Sequence, residues 1–121
     1  MGTWAAGNFD NDGAMDYVGE LIEQLTKTIT KCFDEDDEML LDEGGEDYLM
    51  PSVAIIKMLS ENCNAAPPKP QVIKKWQKRY LASYDKNIDG LNPNEEYKVT
   101  RRQLIDQTFK DLITLSQSFW K

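Results

Sequence analysis

The chain has 121 residues, a net charge of −7 and no histidine. The length fits a single domain spanning residues 1–121, and the missing histidine excludes Ser-His and Cys-His nucleophile pairs and imidazole zinc sites. Because the phosphates of nucleic acids require a clustered basic surface, the net acidity argues against a nucleic-acid partner. The longest aliphatic run, residues 53–56, is far shorter than the ~20 residues that span a bilayer, so we expect no membrane segment.

The first predicted helix runs from about Asn11 to Phe33. Its apolar residues recur every three or four positions, which is the spacing of an amphipathic helix. Asp10 or Asp12 is expected to cap its N-terminus, and Asp16 favours the positive end of the helix dipole. The predicted apolar face consists of Ala14, Tyr17, Val18, Leu21, Ile22, Leu25, Ile29, Cys32 and Phe33.

The residues before and at the start of this helix combine glycine, aromatic and acidic side chains in a short block. The block resembles the opening of a bacterial domain-of-unknown-function family, family 4259. In that opening, Gly-x-Trp-Gly precedes an aromatic-Asx-Asn-Asp stretch, and Ala-x-Asp and an aromatic residue follow. Ala5 stands where a glycine is usual, and Tyr17 where tryptophan is common. The matching residues are Gly2, Trp4, Phe9, Asp10, Asn11, Asp12, Ala14, Asp16 and Tyr17.

The resemblance rests on about the first third of the chain and implies an all-α, cytoplasmic bacterial protein with no established activity. It supplies no catalytic residue. From the residues themselves we expect the block to be a structural anchor, in which Trp4 and Phe9 cover the helix core. Asp10, Asp12 and Asp16 are its acidic members, and a ligand-binding lid is the alternative interpretation.

Two cysteines and the composition of the N-terminus also indicate a cytoplasmic protein. Cys32 is expected on an apolar helix face and Cys63 at a helix end, which favours buried reduced thiols over a disulfide framework. The N-terminus shows no basic region followed by an apolar stretch, so we expect no secretory signal.

Residues 34–47 form an acidic connector with nine acidic residues and no basic one. Gly44-Gly45 is expected to break any helix that precedes it. The connector is interpreted as a solvated linker, as a docking surface for a basic protein, or as a loose collector of divalent cations. The charge asymmetry extends beyond it, because residues 1–60 carry a net charge of −11 and residues 61–121 carry +4.

The next two helices are separated by a connector with three prolines, which favours extended backbone. The second helix is predicted within Glu46–Asn62, where Pro51 opens or kinks it. The third is predicted at about Gln71–Tyr84, with a basic face that we interpret as solvated surface. Its apolar side consists of Val72, Ile73, Trp76, Tyr80 and Tyr84, and its basic face of Lys74, Lys75, Lys78 and Arg79.

The loop predicted at residues 85–92 contains the sharpest candidate for chemistry. A calcium-binding EF-hand needs oxygen ligands at positions 1, 3, 5 and 12 and a glycine at position 6, where Gly90 stands. Asn92 departs from the apolar residue usual at position 8, and no convincing sister loop is present. The candidate ligands are Asp85, Asn87, Asp89 and Glu96.

The same segment also fits the start of the last helix. Asn92 then serves as the cap, Pro93 as the first helical residue and Glu95 as the capping-box partner. The helix runs to about Phe119 and has a broad apolar face, which with Trp120 is wide enough to bury against a second copy. The sequence is therefore compatible with both a monomer and a homodimer. The face consists of Leu104, Ile105, Phe109, Leu112, Leu115 and Phe119.

We therefore predict an all-α protein, a small irregular bundle of about four helices. Small size, acidity and the lack of a recognisable catalytic motif favour a non-catalytic protein-binding module, with an immunity- or antitoxin-like role as one form of it. One alternative is a calcium-binding, single EF-hand-like module at residues 85–96. The other is a carboxylate-based enzyme. Apart from calcium in the first alternative, no cofactor is expected.

Overall fold

Four α-helices follow one another through the residues that the computed structural model describes, namely 6–34, 41 and 44–121. A π-helical turn, Gly45–Leu49, leads into the second helix, and a 3-10 turn, Ile88–Leu91, prolongs the third. These residues contain no strand, so the predicted all-α bundle of four helices is confirmed. The helices are α1 (Asp12–Phe33), α2 (Met50–Cys63), α3 (Pro70–Asn87) and α4 (Glu95–Phe119).

Consecutive helices alternate in direction. The end of α1 meets the segment before α2, where the Cys32 thiol donates a hydrogen bond to the Gly44 carbonyl at 3.3 Å. The later part of α3 faces the beginning of α4, since the Tyr84 hydroxyl donates to the Lys98 carbonyl at 2.7 Å. α2 packs against both α1 and α4, and α3 packs against α4.

The proline-rich connector between α2 and α3 is held by the end of α4. The Ser116 hydroxyl donates to the Pro68 carbonyl at 2.6 Å, and the Trp120 indole N–H donates to the Pro67 carbonyl at 2.8 Å. The segment before α2 contacts the first turns of α4. The start of α2 thus lies near the start of α4, and the end of α2 lies near the end of α4. These two helices therefore run in the same direction.

One apolar core joins the four helices. Its largest fully buried side chains are Tyr80, Tyr84 and Phe109, and the rings of Tyr80 and Phe109 lie 6.2 Å apart between centroids. Cys32 and Cys63 are both buried, as predicted. The buried residues of α1 keep the predicted spacing and are Val18, Ile22, Ile29, Cys32 and Phe33.

The predicted cap of α1 is wrong by one residue. Asn11 caps the helix, and its side-chain oxygen accepts from the Ala14 N–H at 2.8 Å. Asp10 is engaged elsewhere, because its carboxylate accepts from the Gly7 N–H at 3.0 Å. Asp12 already belongs to the first turn of the helix.

The predicted cap of α4 is also wrong. Asn94 caps the helix, accepting from the Tyr97 N–H at 3.1 Å. Its backbone is extended, as a cap requires. Asn92 instead has a left-handed backbone with φ 51°, which takes it out of the cap geometry.

The two glycines of the acidic connector do not break the helical backbone. Gly44 has helical dihedrals, φ −69° and ψ −49°, and Gly45 begins the π-helical turn. Both are buried, and the hydrogen bond from the Cys32 thiol ends on the Gly44 carbonyl. Because glycine has no side chain, the end of α1 can approach this backbone closely. Packing thus overrides the weak helix propensity of glycine.

The predicted apolar faces are wider than the buried ones. Tyr17 of α1, Val72 of α3 and Leu104 of α4 were all assigned to the core side, and all three are exposed. Each lies at the edge of its helical stripe, where spacing alone does not separate a buried position from a boundary position.

Candidate binding surface

Four acidic side chains, spaced three or four residues apart, form a row along the exposed side of α1. This spacing places them on one helical face over about 16 Å. None of them forms an ion pair with another described residue. Tyr17 lies among them with 61% of its surface exposed. This acidic row consists of Asp12, Asp16, Glu20 and Glu23.

Several acids of the C-terminal half are held by neighbouring bases. Arg102 donates two hydrogen bonds, at 2.7 and 2.8 Å, to Asp85 and thereby holds the pKa of that carboxyl below its usual range. Lys98 lies 2.8 Å from Asp89. The hydrogen bond from Lys110 lowers the pKa of Asp106 in the same way. These carboxylates are neutralised locally, whereas those of the acidic row are not.

The calcium candidates are placed differently from an EF-hand. Asp85 and Asn87 lie in the last turn of α3, and Asp89 lies in the 3-10 turn, where a loop was predicted. Ile88 between them is buried, and this burial draws the segment onto the bundle as continued helix. Glu96 is exposed in the first turn of α4. Within the described residues, no group of three or more acidic or cysteine side chains is arranged to hold a metal ion.

The N-terminal anchor lies only partly within the described residues, since Trp4 falls outside them. Phe9 has 43% of its surface exposed. Asp10 closes a short turn on the residue three positions earlier. Asp12 is in the first turn of α1, and Asp16 is exposed one turn further on.

Most of the acidic connector, residues 35–40, 42 and 43, also falls outside the described residues. Its two ends include Asp34 and Asp47, which are exposed. Leu41 is buried in the core. Glu46 binds Arg101 of α4 through two hydrogen bonds of 2.8 and 3.3 Å, and both side chains are largely shielded from solvent. The connector is therefore attached to the bundle at these two points, which a fully solvated linker would not be.

All four residues of the basic face of α3 are exposed, as predicted, but Arg79 also contacts α1. Arg79 donates a hydrogen bond to the Phe33 carbonyl at the end of α1, and its guanidinium carbon lies 5.1 Å from the centroid of the Phe33 ring. Arg79 thus satisfies a terminal helix carbonyl and joins α3 to α1. Lys74, Lys75 and Lys78 are exposed as predicted.

An apolar groove of about 600 Å³, which we call the Trp120 groove, adjoins the acidic row. Trp120 has 46% of its surface exposed, and the Lys69 ammonium lies 5.4 Å from the centroid of its ring. Glu23 belongs to both the groove and the acidic row. The groove is lined by Gly19, Ile22, Glu23, Thr26, Lys27, Ala66, Pro67, Pro68 and Trp120.

Burial favours the protonated form of the two tyrosines in the core. Burial raises the pKa of Tyr80, and the nearby Glu46 carboxylate raises it further. Burial likewise raises the pKa of Tyr84. Both phenols therefore keep their protons, and Tyr84 uses its hydroxyl to hold the first turn of α4.

No helix in the described part of the chain is both long enough and apolar enough to cross a membrane.

Comparison with known proteins identifies the family. No curated protein and no solved structure matches the chain. A family model described as a domain of unknown function, DUF4259, matches residues 2–118, far beyond the first third that carried the resemblance. The chain therefore belongs to the DUF4259 family.

Proposed function

We propose that this protein is a non-catalytic binding module that recognises a basic protein through the acidic surface of its N-terminal half. The observation that carries the proposal is the acidic row on α1, four carboxylates without an ion pair in the described chain. Such a row attracts a positively charged partner from a distance and receives its bases on contact. Each exposed ion pair contributes about 1 kcal/mol or less, so the row acts mainly on the rate of association.

Two further features support this function. The acids at residues 34–47 add to the negative potential of the same half of the chain. The exposed Tyr17 offers an amphipathic ring beside the acidic row, and tyrosine is enriched at protein interfaces. An immunity- or antitoxin-like role is the form of this function that fits the small size and the acidity. In that role the partner is a basic protein bound in a stable one-to-one complex.

The test is capture of the partner from the lysate of the native host at low and high salt, with identification by mass spectrometry. The acidic row is neutralised in the triple variant D16N/E20Q/E23Q, which changes the net charge from −7 to −4. We expect the wild-type chain to capture one stoichiometric basic protein at low salt. The triple variant should lose it, and high salt should release it.

A matched control keeps the net charge equal and moves the changes to α4. The variant E95Q/E96Q/D111N also has a net charge of −4 but retains the whole acidic row. It is expected to capture the partner as the wild-type chain does. Equal capture by both triple variants, or the absence of any stoichiometric partner, contradicts the proposal.

A further inference from the structure

We infer that the Trp120 groove receives an apolar side chain of a basic segment of the partner, with lysine or arginine residues of that segment on the acidic row. This inference rests on the proposed function and names the chemistry of the segment that the protein recognises. It is carried by three features: the hydrogen-bonded walls of the groove, a glycine in the middle of α1, and the acidic row that begins at Glu23 on its rim.

The walls of the groove are held by contacts within the protein itself. The indole N–H of Trp120 is held by the Pro67 carbonyl at 2.8 Å, and the Lys69 ammonium lies over the ring. Pro68 is held in turn by the Ser116 hydroxyl at 2.6 Å. Because these groups are already ordered, a ligand does not have to order them, which favours binding. The volume of about 600 Å³ lies within the range of protein ligand sites.

Gly19 stands in the middle of α1, where glycine weakens a helix relative to alanine. A Cβ atom at this position would meet no atom within 4 Å, so helix packing does not require a glycine. Its φ is not positive either, so the backbone conformation does not require one. The missing side chain does leave open space in the groove, which Gly19 lines.

The charges around the groove are mixed, with acids on the side of the acidic row and lysines elsewhere. Glu23 lines the groove, and Glu20 and Asp16 continue the acidic row away from it along α1. Lys27 and Lys69 lie at the groove itself. A bound segment therefore places its apolar side chain against Trp120 and its positive residues on the side of the acidic row, away from the two lysines.

The test uses two synthetic peptides added to the full-length, ¹⁵N-labelled chain. One peptide carries a single leucine followed by three lysines, and the other has glycine in place of that leucine. We expect the leucine peptide to shift the NMR signals of the Gly19 amide and the Trp120 indole. We also expect it to bind about tenfold more tightly than the glycine peptide, because a leucine side chain becomes buried.

Two variants of α1 separate the groove from the rest of the helix. In G19L the new side chain fills the groove, and affinity for the leucine peptide should fall about tenfold, to that of the glycine peptide. In Q24L the same side chain is added at an exposed position on the other side of α1, and affinity should be unchanged. Thermal melts confirm that both variants fold, and the comparison of peptides on the wild-type chain does not depend on them.

The outcomes distinguish this inference from the proposed function. Equal binding of the two peptides, with shifts along the acidic row but none in the groove, overturns the inference and leaves the proposed function standing. Leucine-dependent binding of equal strength to wild type and to D16N/E20Q/E23Q supports an apolar groove but contradicts recognition by charge. NMR shifts in the groove that require both the leucine of the peptide and the acidic row of the protein support both the inference and the proposed function.

Discussion

At the scale of single residues, the buried hydroxyl groups show how closely the helices approach one another. Four serines are buried, one of them Ser116, whose hydroxyl holds the connector at Pro68. Ser60 of α2 is 1% exposed, and its hydroxyl oxygen has no hydrogen-bond partner within the described chain. A buried hydroxyl without a partner loses its hydration and recovers nothing, so Ser60 is a local source of instability.

We predict that S60A raises the free energy of unfolding by about 1 kcal/mol, because alanine removes the unsatisfied hydroxyl and favours a helix. The matched change S116A removes a satisfied hydroxyl and should lower it by about 1 kcal/mol. Urea unfolding followed by circular dichroism measures both. A loss of stability in S60A would show that this hydroxyl does have a partner.

The bidentate pair of Asp85 and Arg102 predicts a dependence on pH. The hydrogen bonds from Arg102 hold the pKa of Asp85 in the folded chain below its ordinary value. A carboxyl group of this kind stabilises the fold above its unfolded-state pKa, and the stabilisation disappears as the pH falls through its folded-state pKa. D85N should therefore lower the free energy of unfolding at pH 7 by less than about 1 kcal/mol, since the pair is about half exposed.

The same difference between D85N and the wild-type chain should shrink as the pH falls below the ordinary pKa of an aspartate, about 3.9, and disappear once Asp85 is protonated. Urea unfolding at pH 7, 5 and 3 measures it. A difference that stays constant across this range would mean that Asp85 acts through packing and not through its charge.

At the scale of elements, the helices are set by periodicity, and side-chain caps set the starts of α1 and α4. α4 illustrates the division, since its apolar spacing was recognised but its cap was placed at Asn92. The choice between two asparagines depends on backbone conformation, extended at Asn94 and left-handed at Asn92. The end of α3 likewise depends on tertiary packing, because the burial of Ile88 continues the helical backbone into the predicted loop.

We predict that N94A lowers the melting temperature, at a cost of about 1 kcal/mol, because the Tyr97 N–H loses its acceptor. N92G serves as the control and should be neutral or slightly stabilising, since glycine adopts φ 51° without strain. Thermal unfolding compares the two. The reverse order of effects would place the cap at Asn92 after all.

At the scale of the whole molecule, a few polar contacts join parts of the chain that are distant in sequence. Glu46 and Arg101 attach the acidic connector to α4, and Arg79 attaches α3 to the end of α1. Asp85 and Asp89 form further ion pairs with α4. Calcium would therefore have to compete with Arg102 for Asp85 and with Lys98 for Asp89.

We therefore predict that millimolar calcium leaves both the tryptophan fluorescence and the melting temperature unchanged. Calcium would have to displace Arg102 from Asp85 and Lys98 from Asp89, and a segment that is helical in the structure would have to become a loop. Magnesium and a chelator serve as controls. A saturable, calcium-specific rise in melting temperature would restore the EF-hand interpretation.

The amino-acid sequence by itself determined the number of helices, the side of each helix that faces the core and the acidity of the N-terminal half. These properties are local, because the spacing of apolar residues and the count of charges depend only on near neighbours in the chain. Asp12 and Asp16 were predicted only to favour the start of the first helix. Neither the acidic row as a surface nor its lack of ion pairs was predicted.

Only the tertiary structure decided which charges are neutralised and where a groove forms. Glu46 and Arg101 are 55 residues apart, and the Trp120 groove combines α1 with the proline connector and the end of the chain. No sequence spacing encodes such contacts, because they depend on how the helices pack and on what each packed surface leaves open.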